Sequence, residues 1–287
     1  MAVYERTYKR WSGETTSEWS RFLILPRYVV RDVFKSRWMV AFFVLCFIFP
    51  LYSAAVIYVR HSTPLLELLP QLDLQDFLAI DERFFATFLR VQSWFAFFLA
   101  LFVGPGLVSR DLANNGLPLY LSRPFSRYEY ILGRFTVLAV LLSAVTWVPG
   151  LLLMVMQVNF EGFAWLGEHP RLVPALLLGS GVWIVLLSLL ALAISAWVRW
   201  RPIAGFTMLL VLLGGLFFGQ MVNRLFRTDF GHLLNPAKLV AILWTDLLAI
   251  NPGSSVPVWS AWLVVAGFLG VCLFVLDRRI RAYEVVR

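Results

Sequence analysis

The residues of this chain with the greatest capacity for chemistry are three histidines and two cysteines, and their spacing assembles no reaction centre. His61, His169 and His232 fall in three different polar connections, without the spaced pair that is typical of a metal site. Cys46 and Cys272 lie within apolar runs, so neither a disulfide framework nor a zinc site is predicted. No Gly-x-x-x-x-Gly-Lys-Ser/Thr phosphate loop occurs in the sequence. We therefore expect no enzyme activity, metal or cofactor in this chain.

The most informative pattern is a polar connection at 109–134, which reads SRDLANNGLPLYLSRPFSRYEYILGR. Asn115-Gly116 is a turn signal, and 117–121 has the length of one or two helical turns. Ser126 with Glu129 three residues later forms a capping box, which predicts the start of the next helix. An ordinary connector is the plain alternative, but this one carries an apolar cluster of the kind that favours a protein partner: Leu117, Leu119, Tyr120, Leu121, Phe125 and Tyr128.

The amino-acid composition of the chain indicates what kind of structural element holds the connection at 109–134 in place. The chain is 60% hydrophobic and 15% charged, with a mean hydropathy of +0.76, whereas soluble domains are about 45–50% apolar and about 25% charged. The net charge of +8 is distributed between apolar runs and not over one soluble face, which argues against a nucleic-acid partner. The predicted fold is an all-α integral membrane protein. Six stretches have the length of a membrane span: 38–59, 88–108, 132–156, 173–198, 203–222 and 258–276.

The distribution of Lys and Arg predicts the orientation of these spans. Eighteen of the 25 basic residues fall on the side of the amino terminus, and six fall in the opposite connections. Because basic residues concentrate in cytoplasmic loops, we expect both termini in the cytoplasm. The predicted organisation is a cytoplasmic amino-terminal segment at 1–37, a six-helix transmembrane domain at 38–276 and a cytoplasmic tail at 277–287.

Short helices are predicted outside the spans. In the amino-terminal segment, Arg27, Arg31 and Lys35 recur every four residues opposite an apolar face, which favours an amphipathic helix in the membrane interface over a soluble helix packed on a partner. On the outer face, an acidic stretch at 65–87 predicts one short amphipathic helix. Another is predicted at 235–249, where an Asn-Pro pair caps a helix too short to span, so it is interfacial or partly re-entrant.

The connection at 109–134 resembles that of a known family. Ser109-Arg110-Asp111, Gly116, the run Leu-Ser-Arg-Pro-Phe-Ser-Arg-Tyr-Glu-Tyr at 121–130 and Gly133-Arg134 are similar to the loop after the second span of permeases in type-two ATP-binding-cassette (ABC) exporters. Six spans, an amino-terminal amphipathic helix and a short helix before span 6 also fit. Two departures are Leu117, where the family has Thr, and Asn114-Asn115, where it has a more basic stretch.

The resemblance implies a permease subunit that exports a substrate across the bacterial cytoplasmic (inner) membrane. Two permease subunits, identical or different, would form the translocation path, and a separate cytoplasmic ATPase subunit would bind ATP and Mg. The connecting helix that carries Arg27, Arg31 and Lys35 would contact that ATPase. The same ATPase would receive the coupling loop, with the residues Asp111, Gly116, Leu117, Leu119, Tyr120, Leu121, Arg123, Pro124, Ser126, Arg127, Tyr128 and Glu129.

Two other functions stay open on the sequence. On the same scaffold, ATP-driven motion could do mechanical or assembly work on an outer-face protein. An ATP-independent channel or secondary carrier is the other alternative. The only charged residues within the predicted spans are Arg90 and, near the start of the third span, Arg134. No Asp, Glu or Lys falls in them, so the titratable relay that a proton-coupled carrier normally uses is missing.

Overall fold

The chain folds into helices throughout the part that the structure describes. This computed structural model describes residues 24–62, 79–114, 127–250 and 255–280, and no strand occurs among them. Within these four ranges, one 3-10 helix, Phe230–Leu234, accompanies twelve α-helices. The α-helices are α1 Ile24–Val33, α2 Arg37–Leu45, α3 Ile48–His61, α4 Glu82–Val103, α5 Pro105–Ala113, α6 Arg127–Val145, α7 Trp147–Glu161, α8 Phe163–Glu168, α9 Leu172–Trp197, α10 Arg201–Phe226, α11 Pro236–Leu247 and α12 Val258–Arg279.

Six helical segments are long and apolar enough to cross a membrane. They are span 1 Arg37–His61, span 2 Glu82–Ala113, span 3 Arg127–Glu161, span 4 Leu172–Trp197, span 5 Arg201–Phe226 and span 6 Val258–Arg279. Most extend beyond the predicted stretches because a helix continues through polar residues after the apolar run ends. The separate helix predicted at 65–87 is therefore wrong for 82–87, which belong to span 2, and 63–78 lie outside the described residues.

The alternating direction of the spans defines two ends of the bundle. We call the end with Arg37, Ala113 and Arg127 the near end, and the end with His61 and Glu161 the far end. The described parts of the connection, 109–114 and 127–134, lie at the near end. Helix α11, between spans 5 and 6, follows the far end of span 5.

A proline interrupts the helical hydrogen bonding of spans 1 and 3 near the middle of each span. The Gln92 side chain supplies the missing donors at both interruptions. Pro50 and Pro149 have no backbone N–H, so the carbonyls of Cys46 and Val145, four residues earlier, lose their helical donors. The buried Gln92 on span 2 donates from Nε2 to the Cys46 carbonyl at 3.2 Å and to the Val145 carbonyl at 2.8 Å. Gln92 therefore joins span 2 to both neighbouring spans.

Span 2 breaks at Gly104-Pro105, and span 4 supports that break. The Ser195 hydroxyl accepts hydrogen bonds from the backbone N–H groups of Val108 at 3.0 Å and Ser109 at 2.9 Å, and donates to the Pro105 carbonyl at 2.8 Å. Gly104 permits this close approach, because a β-carbon there would lie 2.5 Å from the β-carbon of Ala191. Small residues allow such contact between membrane helices.

The predicted short helix before span 6 is present as α11. The Asn235 side chain caps it by accepting from the N–H of Ala237 at 3.0 Å, and Pro236 occupies the first turn. The preceding 3-10 helix packs on span 5, where a β-carbon at Gly215 would lie 2.6 Å from the Leu234 carbonyl oxygen. The apolar face of α11 is buried, so this helix belongs to the packed bundle.

Candidate functional site at the 109–134 connection

Three polar side chains meet where the 109–134 connection leaves span 2 and enters span 3. The Arg134 guanidinium forms an ion pair with Asp111, and the Tyr130 hydroxyl donates to Asp111 Oδ2 at 2.6 Å. The Arg134 Cζ atom lies 5.3 Å from the centre of the Tyr130 ring. The exposed fraction is 8% for the Arg134 side chain and 18% for that of Asp111. We call Asp111, Tyr130 and Arg134 the anchor cluster.

Local helix geometry explains the anchor cluster. Tyr130 and Arg134 are four residues apart on α6 and so project from one face. Asp111 lies in the last turn of α5, and its carboxylate accepts from both side chains. Removing one member of a buried ion pair leaves the other charge uncompensated, which is strongly destabilising. The cluster therefore holds the two ends of the connection at a fixed separation.

The structure describes four of the twelve predicted coupling-loop residues: Asp111, Arg127, Tyr128 and Glu129. Asp111 belongs to the anchor cluster, and Tyr128 is 65% exposed. Arg127 forms an ion pair with Asp277 near the end of span 6, at 3.3 Å, so the start of span 3 also contacts that span. The other eight lie outside the described residues: Gly116, Leu117, Leu119, Tyr120, Leu121, Arg123, Pro124 and Ser126. The described part of helix α6 starts at Arg127, and the predicted cap Ser126 lies outside it.

Helix α1 packs on α6, beside the anchor cluster. Its apolar residues Val29, Val30 and Val33 are half-buried against the bundle, whereas Arg27 and Arg31 are exposed. Lys35, predicted to continue the basic stripe, follows the end of the helix at Val33, because Ser36 adopts an extended conformation before α2. Its ammonium lies 3.3 Å from Asp32 Oδ1.

The histidines lie at the far end, in separate pairs with carboxylates. His61 Nε2 lies 3.1 Å from Glu161 Oε1, which joins span 1 to span 3. His169 Nδ1 lies 2.6 Å from Glu82 Oε1, which joins the start of span 4 to span 2. In the part of the chain that the structure describes, no three side chains of His, Cys, Asp or Glu cluster as metal ligands would. These histidines connect helix ends.

The far-end loop before α11 has one further polar link. The Asp229 carboxylate accepts from the Ser255 N–H at 2.9 Å and from the Ser255 hydroxyl at 2.7 Å. These hydrogen bonds stabilise the charged form and lower the pKa of Asp229. The link joins the end of span 5 to the segment that enters span 6.

The sequence predicts Asp111 as a coupling-loop residue, whereas its partners Tyr130 and Arg134 are not among the predicted functional residues. The available signal was Asp111 near the start of the connection, together with Tyr130 and Arg134, four residues apart, near its end. Comparison of the chain with family models and with curated proteins gives no match.

Proposed function

We propose that this chain is the permease subunit of an ABC exporter. In this proposal two permease subunits form the translocation path, and each binds a separate ATPase subunit at the near end, which faces the cytoplasm. The observation that carries the proposal is the anchor cluster. It fixes both ends of a connection whose residues resemble a coupling loop, and a segment that transmits a push between subunits needs such fixed ends.

The position of helix α1 gives further support. It packs on α6, so the proposed connecting helix and the proposed coupling loop share the near end. Arg27 and Arg31 are exposed there and present positive charge to an ATPase surface or to anionic headgroups. A single ATPase subunit docked at this end can contact both elements.

The buried polar bonds give a route for the motion. Gln92 joins span 2 to spans 1 and 3, and Ser195 joins the break in span 2 to span 4. A push on the connection would therefore move spans 2, 3 and 4 together, and the bond from Gln92 to Cys46 would draw the adjoining part of span 1 with them. Rocking of this unit is a domain-scale motion, and it can open the translocation path first to one face of the membrane and then to the other.

The spans contain a cavity that suits an apolar or amphipathic cargo. It measures about 280 Å³ and lies between spans 2, 4 and 5 and helix α11. Trp94, Trp183 and Trp244 line it together with leucines, and Arg90 and Lys238 supply the cations. Aromatic walls with few polar groups are typical of sites for such ligands.

The deciding experiment is affinity purification of the tagged chain from its native bacterial inner membrane in mild detergent. We expect an ABC ATPase subunit to co-purify at one copy per permease. Absence of any such subunit would contradict the proposal. Stable capture of an outer-face protein, without stimulation of the ATPase by cargo, would favour the mechanical alternative. Transport by vesicles that contain this chain alone would favour an ATP-independent channel or carrier.

Charge reversal at Glu129 tests the coupling loop itself. We expect Glu129→Arg, or the bulkier change Gly116→Trp, to abolish stimulated ATPase activity while the chain stays in the membrane. The matched control is Glu168→Arg, an exposed position at the far end, which should keep full ATPase binding and activity. Full activity in both loop variants would show that the loop does not couple the subunits.

A further inference from the structure

We propose that the near end binds the phosphate group of an anionic lipid in a cavity between α1, α5 and the start of α10. The cavity measures about 650 Å³. Its lining is divided between charged side chains and apolar ones. The charged residues are Arg31, Asp32, Lys35, Arg110, Asp111, Arg134 and Arg201.

Two arginines converge in this cavity over a glycine. A β-carbon at Gly106 would lie 3.3 Å from Nε of Arg201 and 3.5 Å from Nε of Arg110. The missing side chain therefore lets both guanidinium groups approach one point. Two like charges this close repel each other, and an anion between them removes the repulsion. Guanidinium groups match the geometry and charge of a phosphate.

The carboxylates of the cavity do not balance its cations. Asp111 is already paired with Arg134 in the anchor cluster. Asp32 lies 3.3 Å from Lys35 Nζ and 4.0 Å from a guanidinium nitrogen of Arg110. Across residues 24–62, 79–114, 127–250 and 255–280, no carboxylate lies within ion-pair distance of Arg31 or Arg201. The side chain of Arg201 donates instead to the Phe102 carbonyl at 3.0 Å. An excess of positive charge faces the cavity.

The apolar part of the lining identifies a lipid as the source of the phosphate. Val33, Met39, Phe102, Val103 and Leu107 lie beside the cations. The cavity sits at the near end of the spans, and the ends of helices long enough to cross a bilayer lie close to the level where headgroups meet acyl chains. A phospholipid fills both parts of the cavity, whereas a free phosphate would use only the cationic part. Basic pockets between helices at this level bind anionic headgroups.

A bound phosphate would connect three elements that otherwise meet through few polar contacts. It would join Arg31 on α1 to Arg110 on span 2 and Arg201 on span 5. The site depends on the membrane fold and not on the proposed ATPase partner. Its test uses the purified chain without any ATPase, so its failure is distinguishable from failure of the proposed function.

The test is native mass spectrometry of the full-length protein in detergent, titrated separately with phosphatidylglycerol, phosphatidylcholine and inorganic phosphate. We expect phosphatidylglycerol to bind at least tenfold more tightly than phosphatidylcholine. Arg110→Gln should weaken phosphatidylglycerol binding by about tenfold, the loss expected for one charge-assisted contact. Arg199→Gln removes an exposed arginine at the same end and should leave binding unchanged.

A measurement of stability and one further variant separate binding from folding. The Arg110 side chain is 54% exposed, so Arg110→Gln should keep the thermal unfolding temperature of the parent protein. Gly106→Ala keeps every charge but places a β-carbon 3.3 Å from Nε of Arg201, so that guanidinium must shift, and phosphatidylglycerol binding should also weaken. Equal affinities in the Arg110→Gln and Arg199→Gln proteins would overturn the site. Binding of inorganic phosphate that requires Arg110, with no binding of phosphatidylglycerol, would overturn the lipid as its source.

Discussion

Spans 2, 3 and 4 are held in the bundle differently from spans 1, 5 and 6. In the apolar 18-residue stretch of each span, the buried share of residues is 56% for span 2, 56% for span 3 and 72% for span 4. The corresponding shares are 22%, 22% and 17% for spans 1, 5 and 6. The anchor cluster, Gln92 and Ser195 provide buried polar bonds that link spans 2, 3 and 4 to one another, and Gln92 also reaches span 1. In lipid the hydrophobic driving force between helices is absent, so close packing and these polar bonds together hold spans 2, 3 and 4 to one another.

The two groups of spans would have different tasks in the proposed assembly. Spans 2, 3 and 4 form the unit that would carry a push from the near end. Spans 1, 5 and 6 expose large apolar side chains, such as Leu51, Phe217 and Leu263. In the proposed assembly these faces meet lipid or a second permease subunit. Substitutions in the first group should therefore alter folding, and exposed substitutions in the second group should alter assembly.

The largest effect is expected when the anchor cluster loses its cation. Arg134→Ala leaves Asp111 buried and uncompensated, which should cost about 3 kcal/mol in the free energy of unfolding. Thermal unfolding in detergent measures the loss. Replacement of the pair by Asp111→Leu with Arg134→Met should restore most of the stability, because apolar residues of similar volume need no compensation.

The exposed ion pair between Arg127 and Asp277 is the matched contrast for this experiment. Its side chains are 39% and 50% exposed, and solvent screening limits such pairs to about 1 kcal/mol or less. Arg127→Gln should therefore change the unfolding temperature only slightly. A loss as large as that of Arg134→Ala would contradict the difference between the buried anchor cluster and this exposed pair.

Gln92 should show the next largest effect. Gln92→Leu leaves the Cys46 and Val145 carbonyls without donors, and we expect a loss of about 2 kcal/mol in unfolding free energy. The matched background carries Pro50→Ala and Pro149→Ala, in which both helices regain their own N–H donors. The same Gln92→Leu change should cost clearly less there. An equal cost in both backgrounds would show that Gln92 does not act through the proline breaks.

Ser195 should show a smaller loss. Ser195→Ala removes the hydroxyl that accepts from two N–H groups of span 2, and should cost about 1–2 kcal/mol. Ser188 on the same helix is the control, since its hydroxyl is buried and has no hydrogen-bond partner among the described residues. Ser188→Ala should leave the unfolding temperature unchanged or raise it. The reverse order of the two variants would contradict the assigned role of Ser195.

The sequence predicts the number of spans well because each span has its own apolar run. It also predicts α11, since the Asn235-Pro236 pair is a local start signal and the run that follows is too short to span. The helix ends are less predictable. Glu82 and Arg127 are polar, yet hydrogen bonding continues the helices through them.

The polar links could not be predicted in the same way. Gln92 acts on carbonyls freed by prolines in two other spans, and His61 pairs with Glu161 one hundred residues away. Such contacts depend on how the spans are rotated against each other, which a local pattern does not contain. The anchor cluster is partly predictable from the sequence, because the spacing of Tyr130 and Arg134 predicts that both side chains project from one face of a helix.

Site-specific photocrosslinking at Tyr128 tests the central claim most directly. Tyr128 is 65% exposed at the near end, and Phe163 is 81% exposed at the far end. Each would be replaced separately by a photoreactive phenylalanine analogue in native membranes. We predict that position 128 forms a crosslinked product with an ABC ATPase subunit and that position 163 forms none. Failure of position 128 to capture an ATPase, or equal capture from both positions, would contradict the coupling assignment.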